Sequence, residues 1–195
     1  MSVATILSLP TPLQGMSTPD LESELLGLAG HIAAAECRFL LLLAEFDQRD
    51  GWAGDGIRSC AHWLSWRAGM SLRTATEHLR VAHALQHLPK ISEAFAAGRV
   101  SYSKVRAITR IAGGDTATLT RIAADIAAGA PELRHTTVAD PETAERVLLE
   151  VALSGTASHV ETEVRAVRRR HTPPENRAAR RALSWRWDQD GSLAV

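Results

Sequence analysis

Cysteine, asparagine and aromatic residues are all scarce in this chain. Its two cysteines, Cys37 and Cys60, are too few and too far apart for a disulfide framework or a paired-thiolate metal centre, so buried apolar filler is their expected role. Aromatics are 5% of the 195 residues, and 8 prolines stand against 13 glycines. With alanine abundant, that composition favours packed helices over a sandwich or barrel. A hydrophobic content of 45% argues against a long disordered chain and suffices for the core of one domain. No stretch reaches the roughly 18 uninterrupted apolar residues of a membrane span. The first 17 residues also lack the basic segment that opens a secretory signal. The expectation is a cytoplasmic protein with no membrane partner.

A net charge of zero invites the exclusion of a polyanionic partner, but the zero is a sum of opposed blocks. Residues 1–57 carry two arginines against eight acids, a net of −6, whereas residues 58–110 carry nine basic residues against two acids, a net of +7. Residues 111–164 hold three against nine, again −6, and residues 165–195 eight against three, or +5. A basic block flanked by acidic ones marks a localised positive surface that attracts phosphates even on a neutral molecule. The simpler alternative is that acidic and basic helices neutralise one another within the fold.

Residues 1–17 form a lead containing Pro10 to Gln14, followed by a helical domain over 18–182. Thr18 reads as a capping hydroxyl before Pro19, Asp20 and Glu22, an arrangement that opens a helix. Over 18–50 the residues Leu21, Leu25, Leu28, Ile32, Ala35, Phe39, Leu42 and Phe46 step by alternating fours and threes, and Gly51 follows as the stop. This heptad seam suits a long helix that packs along another helix of the same chain or along its copy in a homodimer. Intrachain packing is the ordinary expectation. The glycines of the loop from Gly51 to Gly56 match neither a dinucleotide fingerprint nor a P-loop, so the loop reads as a helix connection.

Residues 58–110 carry the most information. Ser59 to Ala68 reads as a short helix containing Trp63, Leu64 and Trp66, ended by Gly69, with Ser71 capping the next helix after a turn of about three residues. On that second helix Leu72, Ala75, Leu79, Ala82, Leu85 and Gln86 share one side, and Arg73, Thr76, Glu77, Arg80, Ala84 and His87 the other. The arrangement predicts a helix-turn-helix unit that reads DNA with Arg73, Thr76, Glu77 and Arg80, the arginines being suited to fork onto guanine. Arg67, Arg99, Lys104, Arg106 and Arg110 are the expected phosphate contacts. His78 dissents, standing where such a unit normally has an apolar residue. Pro89 to Phe95, closed by Gly98, and Tyr102 to Ile111, capped by Ser101, complete the block.

Gly69-Met70-Ser71, Leu79-Arg80, Leu88-Pro89, Gly98-Arg99-Val100-Ser101 and Arg106-Ala107-Ile108 are similar to the DNA-binding helical core of ParB-type partition proteins, with about one extra helical turn before Leu88-Pro89. A wider resemblance rests on Arg58-Ser59, Trp63-Leu64, Ala82 to Leu85, Leu88-Pro89, Ala94 to Gly98 with Val100-Ser101, Lys104 to Arg110, Leu183 to Trp185 and Asp188 to Gly191. In these the chain resembles the domain-of-unknown-function 222 family, the 13E12 repeat proteins of actinobacteria. The resemblance implies a helical domain of mobile-element-like genes that commonly precedes a His-Asn-His nuclease domain. No histidine follows the single asparagine, Asn176, so these 195 residues do not supply the catalytic order that such a nuclease needs.

Other chemistry finds little support. His83 and His87 have the spacing of two zinc ligands on a helix but no evident third, and neither a metal nor another cofactor is expected. No serine stands in a nucleophile elbow, and the acids of 115–170 read as solvated faces opposite Leu119, Ile122, Ile126, Val147, Leu148 and Val151. That acidic segment ends in a basic stripe, Arg168 to Arg170 with Arg177, Arg180 and Arg181, suited to phosphates or to a helix C-terminus. Residues 183–195 read as a β-hairpin turning at Asp190-Gly191 and cut off in its second strand, as in a truncated copy or in a sheet that a partner completes. The expected protein is thus an all-α domain of about eight helices with a rudimentary hairpin, binding DNA through 58–110 and not itself an enzyme. The competing expectation is a helical interaction or oligomerisation domain without nucleic-acid affinity.

Overall fold

A computed structural model describes residues 13–112, 116–129, 137–138, 140–171, 186–187 and 193–194. Its described helices are α1 (Thr18–Gln48), α2 (Cys60–Ala68), α3 (Leu72–Leu85), α4 (Pro89–Ala96), α5 (Tyr102–Ala112), α6 (Thr116–Gly129), α7 (Pro141–Ser154) and α8 (Ala157–His171). A single 3-10 turn, Leu13–Gly15, precedes them. Two two-residue strands, β1 (Arg186–Trp187) and β2 (Leu193–Ala194), pair antiparallel with Arg186 opposite Ala194 and Trp187 opposite Leu193. The class is all-α. Residues 1–12 of the lead, the hairpin turn and the stripe residues Arg177, Arg180 and Arg181 lie outside the described residues.

Local chemistry places the helix ends. Ser17, one residue before the expected Thr18, is the N-cap of α1: its hydroxyl accepts from the Asp20 amide, and Thr18 and Pro19 occupy the first turn. The ordinary β-region backbone of Ser17 lets a side chain fold back onto the amides, which a residue already in the helix cannot do as well. At the other end the chain leaves α1 through Asp50, whose φ is 49°, and Gly51 donates to the Phe46 carbonyl at 3.0 Å. Ser59 and Ser71 cap α2 and α3 as expected, and Gly69 closes α2 in the left-handed region at φ 67°.

The core begins where α1 meets α3 and α4, with α2 on α3. It continues where α5 packs on α6 and α8 and α6 packs on α7, and the two parts join through α3 with α5 and α4 with α7. The face that α1 buries is not the heptad seam. Ala33, Cys37, Leu40, Leu43 and Ala44 are buried, a stripe centred roughly 120° around the helix from the seam. Leu25, Leu28, Ile32 and Leu42 of the seam are exposed while Phe39 and Phe46 pack against the edge of the core, so the expectation of intrachain packing along the seam holds only for these two residues. The cause is close approach. α1 meets small buried side chains, Ala75 and Ala82 on α3 and Ala94 on α4, and Gly98 lies against the Gly30 backbone; such contacts need alanine and glycine rather than leucine.

α1 also amends the reading of hydropathy. Without any uninterrupted apolar run, the 31-residue helix is still long and apolar enough, by length and composition, to cross a membrane. The window that meets the test contains Glu36 and Arg38, and its residues Ala33, Cys37 and Leu40 belong to the core.

One buried charge organises the junction between α4 and α7. The α4 N-cap, Leu88, has no side chain able to cap, and the Glu145 carboxylate reaches across from α7 to accept from the Ile91 amide at 2.9 Å. Glu145 is 3% exposed. Burial pushes its carboxyl above the ordinary glutamate value, opposed by the amides of Ile91 and Lys90. A carboxylate at a helix N-terminus satisfies amides that α4 cannot satisfy itself.

Candidate nucleic-acid interface

The basic block folds into α2, a three-residue turn and α3, with α5 lying beside α3. Between α3 and α5 runs a polar groove of about 640 Å³, lined in part by Arg73, Thr76, Glu77, Tyr102, Arg106 and Arg110. Three of the arginines read from the sequence therefore share one concave surface with one carboxylate.

The nine candidate contacts separate into two groups. Arg80 points into the protein. It donates twice to the Glu77 carboxylate at 3.0 Å, to the Thr109 carbonyl at 3.0 Å, and to the Thr109 hydroxyl and Arg106 carbonyl at 3.3 Å. This guanidinium ties α3 to α5 and has no free fork for a base edge. Glu77 is held by the same contact, with Arg110 3.6 Å away. The Arg80 hydrogen bond, with the charges of Arg80, Arg110 and Arg106, holds the Glu77 carboxyl below the ordinary glutamate value against the opposing effect of burial. Lys104 donates to the Ala152 carbonyl in the last turn of α7 at 2.7 Å, where a cation suits the helix end. Arg106 pairs with Glu161 of α8 at 3.0 Å.

Arg67, Arg73 and Arg99 are exposed, and none takes part in an ion pair or hydrogen bond among those found between described residues. Arg67 lies over the Trp66 ring, 5.2 Å from its centroid, and Trp66 itself is 67% exposed. Arg73 stands one residue beyond exposed Leu72, at the start of α3. Thr76 is exposed, its hydroxyl donating to the Leu72 carbonyl at 2.8 Å. Arg110 keeps about two fifths of its side chain in solvent. The helix ends that flank the turn between α2 and α3 thus carry an exposed tryptophan, an exposed leucine and two exposed arginines with no ion-pair partner among the described residues.

His78 explains its own dissent. Its ring stacks on Tyr102, with centroids 4.9 Å apart and planes at 18°, and meets Phe39 edge-on at 6.0 Å. It fills the apolar position as an aromatic plate between α1 and α5, while its Nδ1 lies 2.8 Å from the Thr74 carbonyl. Tyr102 was not among the sequence candidates, and its only signal there was being the one tyrosine of the chain. Burial, with Glu77 nearby, pushes its phenol above the ordinary value.

Among the described residues no group of three or more His, Cys, Asp and Glu side chains is placed to hold a metal ion. His83 Nε2 instead lies 2.9 Å from the Asp47 carboxylate of α1. Cys37 and Cys60 are free and buried, and the Cys60 thiol is pushed up to about 12 by burial and by Asp47.

No curated protein and no solved structure matches the chain. The family model described as "Domain of unknown function (DUF222)" matches residues 22–192, from the first turns of α1 to the edge of β2. A match over that much of the sequence means that the chain belongs to the DUF222 family.

Proposed function

We propose that the chain is a DNA-binding module that acts through the helix-turn-helix-like unit α2–α3 and the adjoining groove of α5, without catalysing a reaction of its own. The observation that carries this reading is the pair of exposed cationic side chains flanking the turn: Arg67 and Arg73 sit on either side of Gly69 to Ser71, with no acid among the described residues bonded to them. Backbone phosphates neutralise such charges on binding, and a helix entering the major groove presents its first residues to base edges. In this arrangement Arg73 and Thr76 face the bases, while Arg67, Arg99 and Arg110 hold phosphates. Arg80, Glu77 and Lys104 maintain the shape of the surface, and Arg106 contributes to the groove while paired with Glu161. The similarity of the block to ParB-type cores, and the resemblance to proteins that carry a His-Asn-His nuclease domain, accord with a module that positions a nuclease on DNA.

A labelled duplex titrated with wild type and with Arg67→Ala/Arg73→Ala tests the reading. Loss of one base-facing and one phosphate-holding arginine should weaken binding about tenfold or more at low salt, and should make the salt slope shallower by about one. Equal affinity of the two proteins would remove the surface from consideration. The second reading, an interaction domain without nucleic-acid affinity, draws on the pairs Arg106–Glu161 and Lys90–Glu142, in which the basic block is partly neutralised by the acidic block that follows.

A further inference from the structure

Among the described residues three buried side-chain polar atoms have no hydrogen-bond partner. Two of them, the Tyr102 phenol oxygen and Arg106 Nε, belong to side chains that line the groove between α3 and α5. Orphaned polar atoms are rare in a folded chain, and a ligand or ion is one arrangement that satisfies them. The surplus charge of the groove is positive. Arg73 comes from α3, and Arg106 and Arg110, four residues apart on α5, share a face. Against these three and Arg80 stand two carboxylates: Glu77, whose two oxygens accept from Arg80, and Glu161, which is paired with Arg106. Four guanidiniums against two carboxylates leave a surplus of two positive charges, and Glu36 of α1, which acts on Tyr102 from outside the lining, does not reverse it. The walls are partly apolar. Leu72 and the stacked rings of His78 and Tyr102 also line the groove, whose volume of about 640 Å³ lies in the range of small-molecule sites.

We propose that this groove binds a small organic phosphate, its phosphomonoester group held by Arg73, Arg110 and the Tyr102 hydroxyl and its organic body laid against Leu72 and the His78–Tyr102 stack. The geometry of the group matches the donors. Three terminal oxygens point in different directions and accept from two helices at once, whereas a carboxylate offers two oxygens in one plane. The charge matches as well. A phosphomonoester carries about −1.5 to −2 at neutral pH, close to the surplus of two, whereas each phosphodiester of a nucleic-acid backbone carries about −1. Burial, with Glu77 nearby, raises the Tyr102 phenol and keeps it a proton donor at neutral pH. Because both orphaned atoms are closed to solvent, the guest reaches them as the exposed side chains of Leu72, Arg73 and Arg110 shift around it. The proposal does not depend on the DNA-binding reading, although both draw on Arg73 and Arg110.

The test is isothermal titration calorimetry of the full chain with adenosine monophosphate and with adenosine. The monophosphate should bind with a Kd below about 1 mM, and adenosine at least about tenfold more weakly. Tyr102→Phe keeps the ring stack and removes only the orphaned hydroxyl. It should therefore melt at the wild-type temperature or above it, yet bind the monophosphate about tenfold more weakly. Arg110→Ala should lose at least as much; should that variant fail to fold, Arg110→Gln takes its place. Arg67→Ala/Arg99→Ala alters side chains outside the groove lining and should leave the monophosphate affinity within about twofold, so failure of the DNA-binding reading shows in duplex titrations alone. No binding of the monophosphate up to about 10 mM, whether or not a duplex binds through the same residues, would overturn the proposal. Equal binding of adenosine, or indifference to either Tyr102→Phe or Arg110→Ala, would do so too.

Discussion

Replacing Arg80 by alanine separates cohesion from recognition. The guanidinium spans two helices, bonding Glu77 on its own helix and the Thr109 and Arg106 carbonyls on α5. About a third of its side chain is exposed, so the ion pair contributes less than a buried one. The bonds to Thr109, which is fully buried, are the better protected part. Charge-assisted bonds of this kind net about 1.5–3 kcal/mol, and discounting for solvent leaves about 2 kcal/mol for the substitution. In a chain of this size that lowers the melting temperature by roughly 4–8 °C. Arg80→Lys should lose nearly as much, since an ammonium cannot reproduce the fork. The difference between wild type and variant should also depend on pH. Glu77 has a depressed carboxyl pKa, so its contribution is full above the ordinary glutamate value and lost as pH falls through its folded value. Thermal melts of wild type and Arg80→Ala should therefore draw closer in acid, the remaining gap coming from the bonds to Thr109, which do not titrate. DNA affinity per folded molecule should stay within about twofold, against a loss of about tenfold for Arg67→Ala/Arg73→Ala. An Arg80→Ala protein that melts like wild type but loses DNA affinity would refute the assignment of this residue to the scaffold.

Glu145→Ala should destabilise the protein by about 2 kcal/mol by leaving buried α4 amides unpaired. Because the folded carboxyl pKa is raised, the stability of wild type relative to Glu145→Gln should be greatest below the ordinary glutamate value and decline as pH rises through the folded one, which melts between acid and neutral pH would show. Gly98→Ala should cost at least about 2 kcal/mol, since φ is 71° and a methyl would lie 2.6 Å from the Gly30 carbonyl oxygen, backbone against backbone. Gly30→Ala, whose methyl would meet the Gly98 carbonyl oxygen at an ordinary 3.7 Å, should be neutral or stabilising in denaturant melts. Cys60 should resist a thiol reagent in the folded state and react on unfolding, as a buried thiol raised to about 12 requires.

Much of the helical order is readable in the residues because it rests on local chemistry. Ser59, Gly69, Ser71 and Pro89 each mark a helix end by a property of one residue, and each end falls where that property puts it. What depends on a partner distant in sequence is not readable. Spacing alone identified the α1 seam, but the core took the neighbouring stripe of Ala33, Cys37 and Ala44, because close helix contact selects small side chains whereas heptad counting favours large ones. Arg80 shares the polar side of α3 with Arg73, and only the position of α5 makes one a staple and leaves the other in solvent. His78 and Glu145 break the expected pattern of polarity. Each finds its explanation in a contact made across the core, a ring stack in one case and a helix cap in the other.

The most direct test of the DNA-binding account is the salt dependence of affinity for a labelled random duplex, followed by fluorescence anisotropy. The account predicts measurable binding at low salt and a logarithmic slope of about −3, matching phosphate contacts from Arg67, Arg99 and Arg110. Absence of binding at the lowest salt, or affinity that does not respond to salt, would contradict it and leave the chain as a protein-interaction domain.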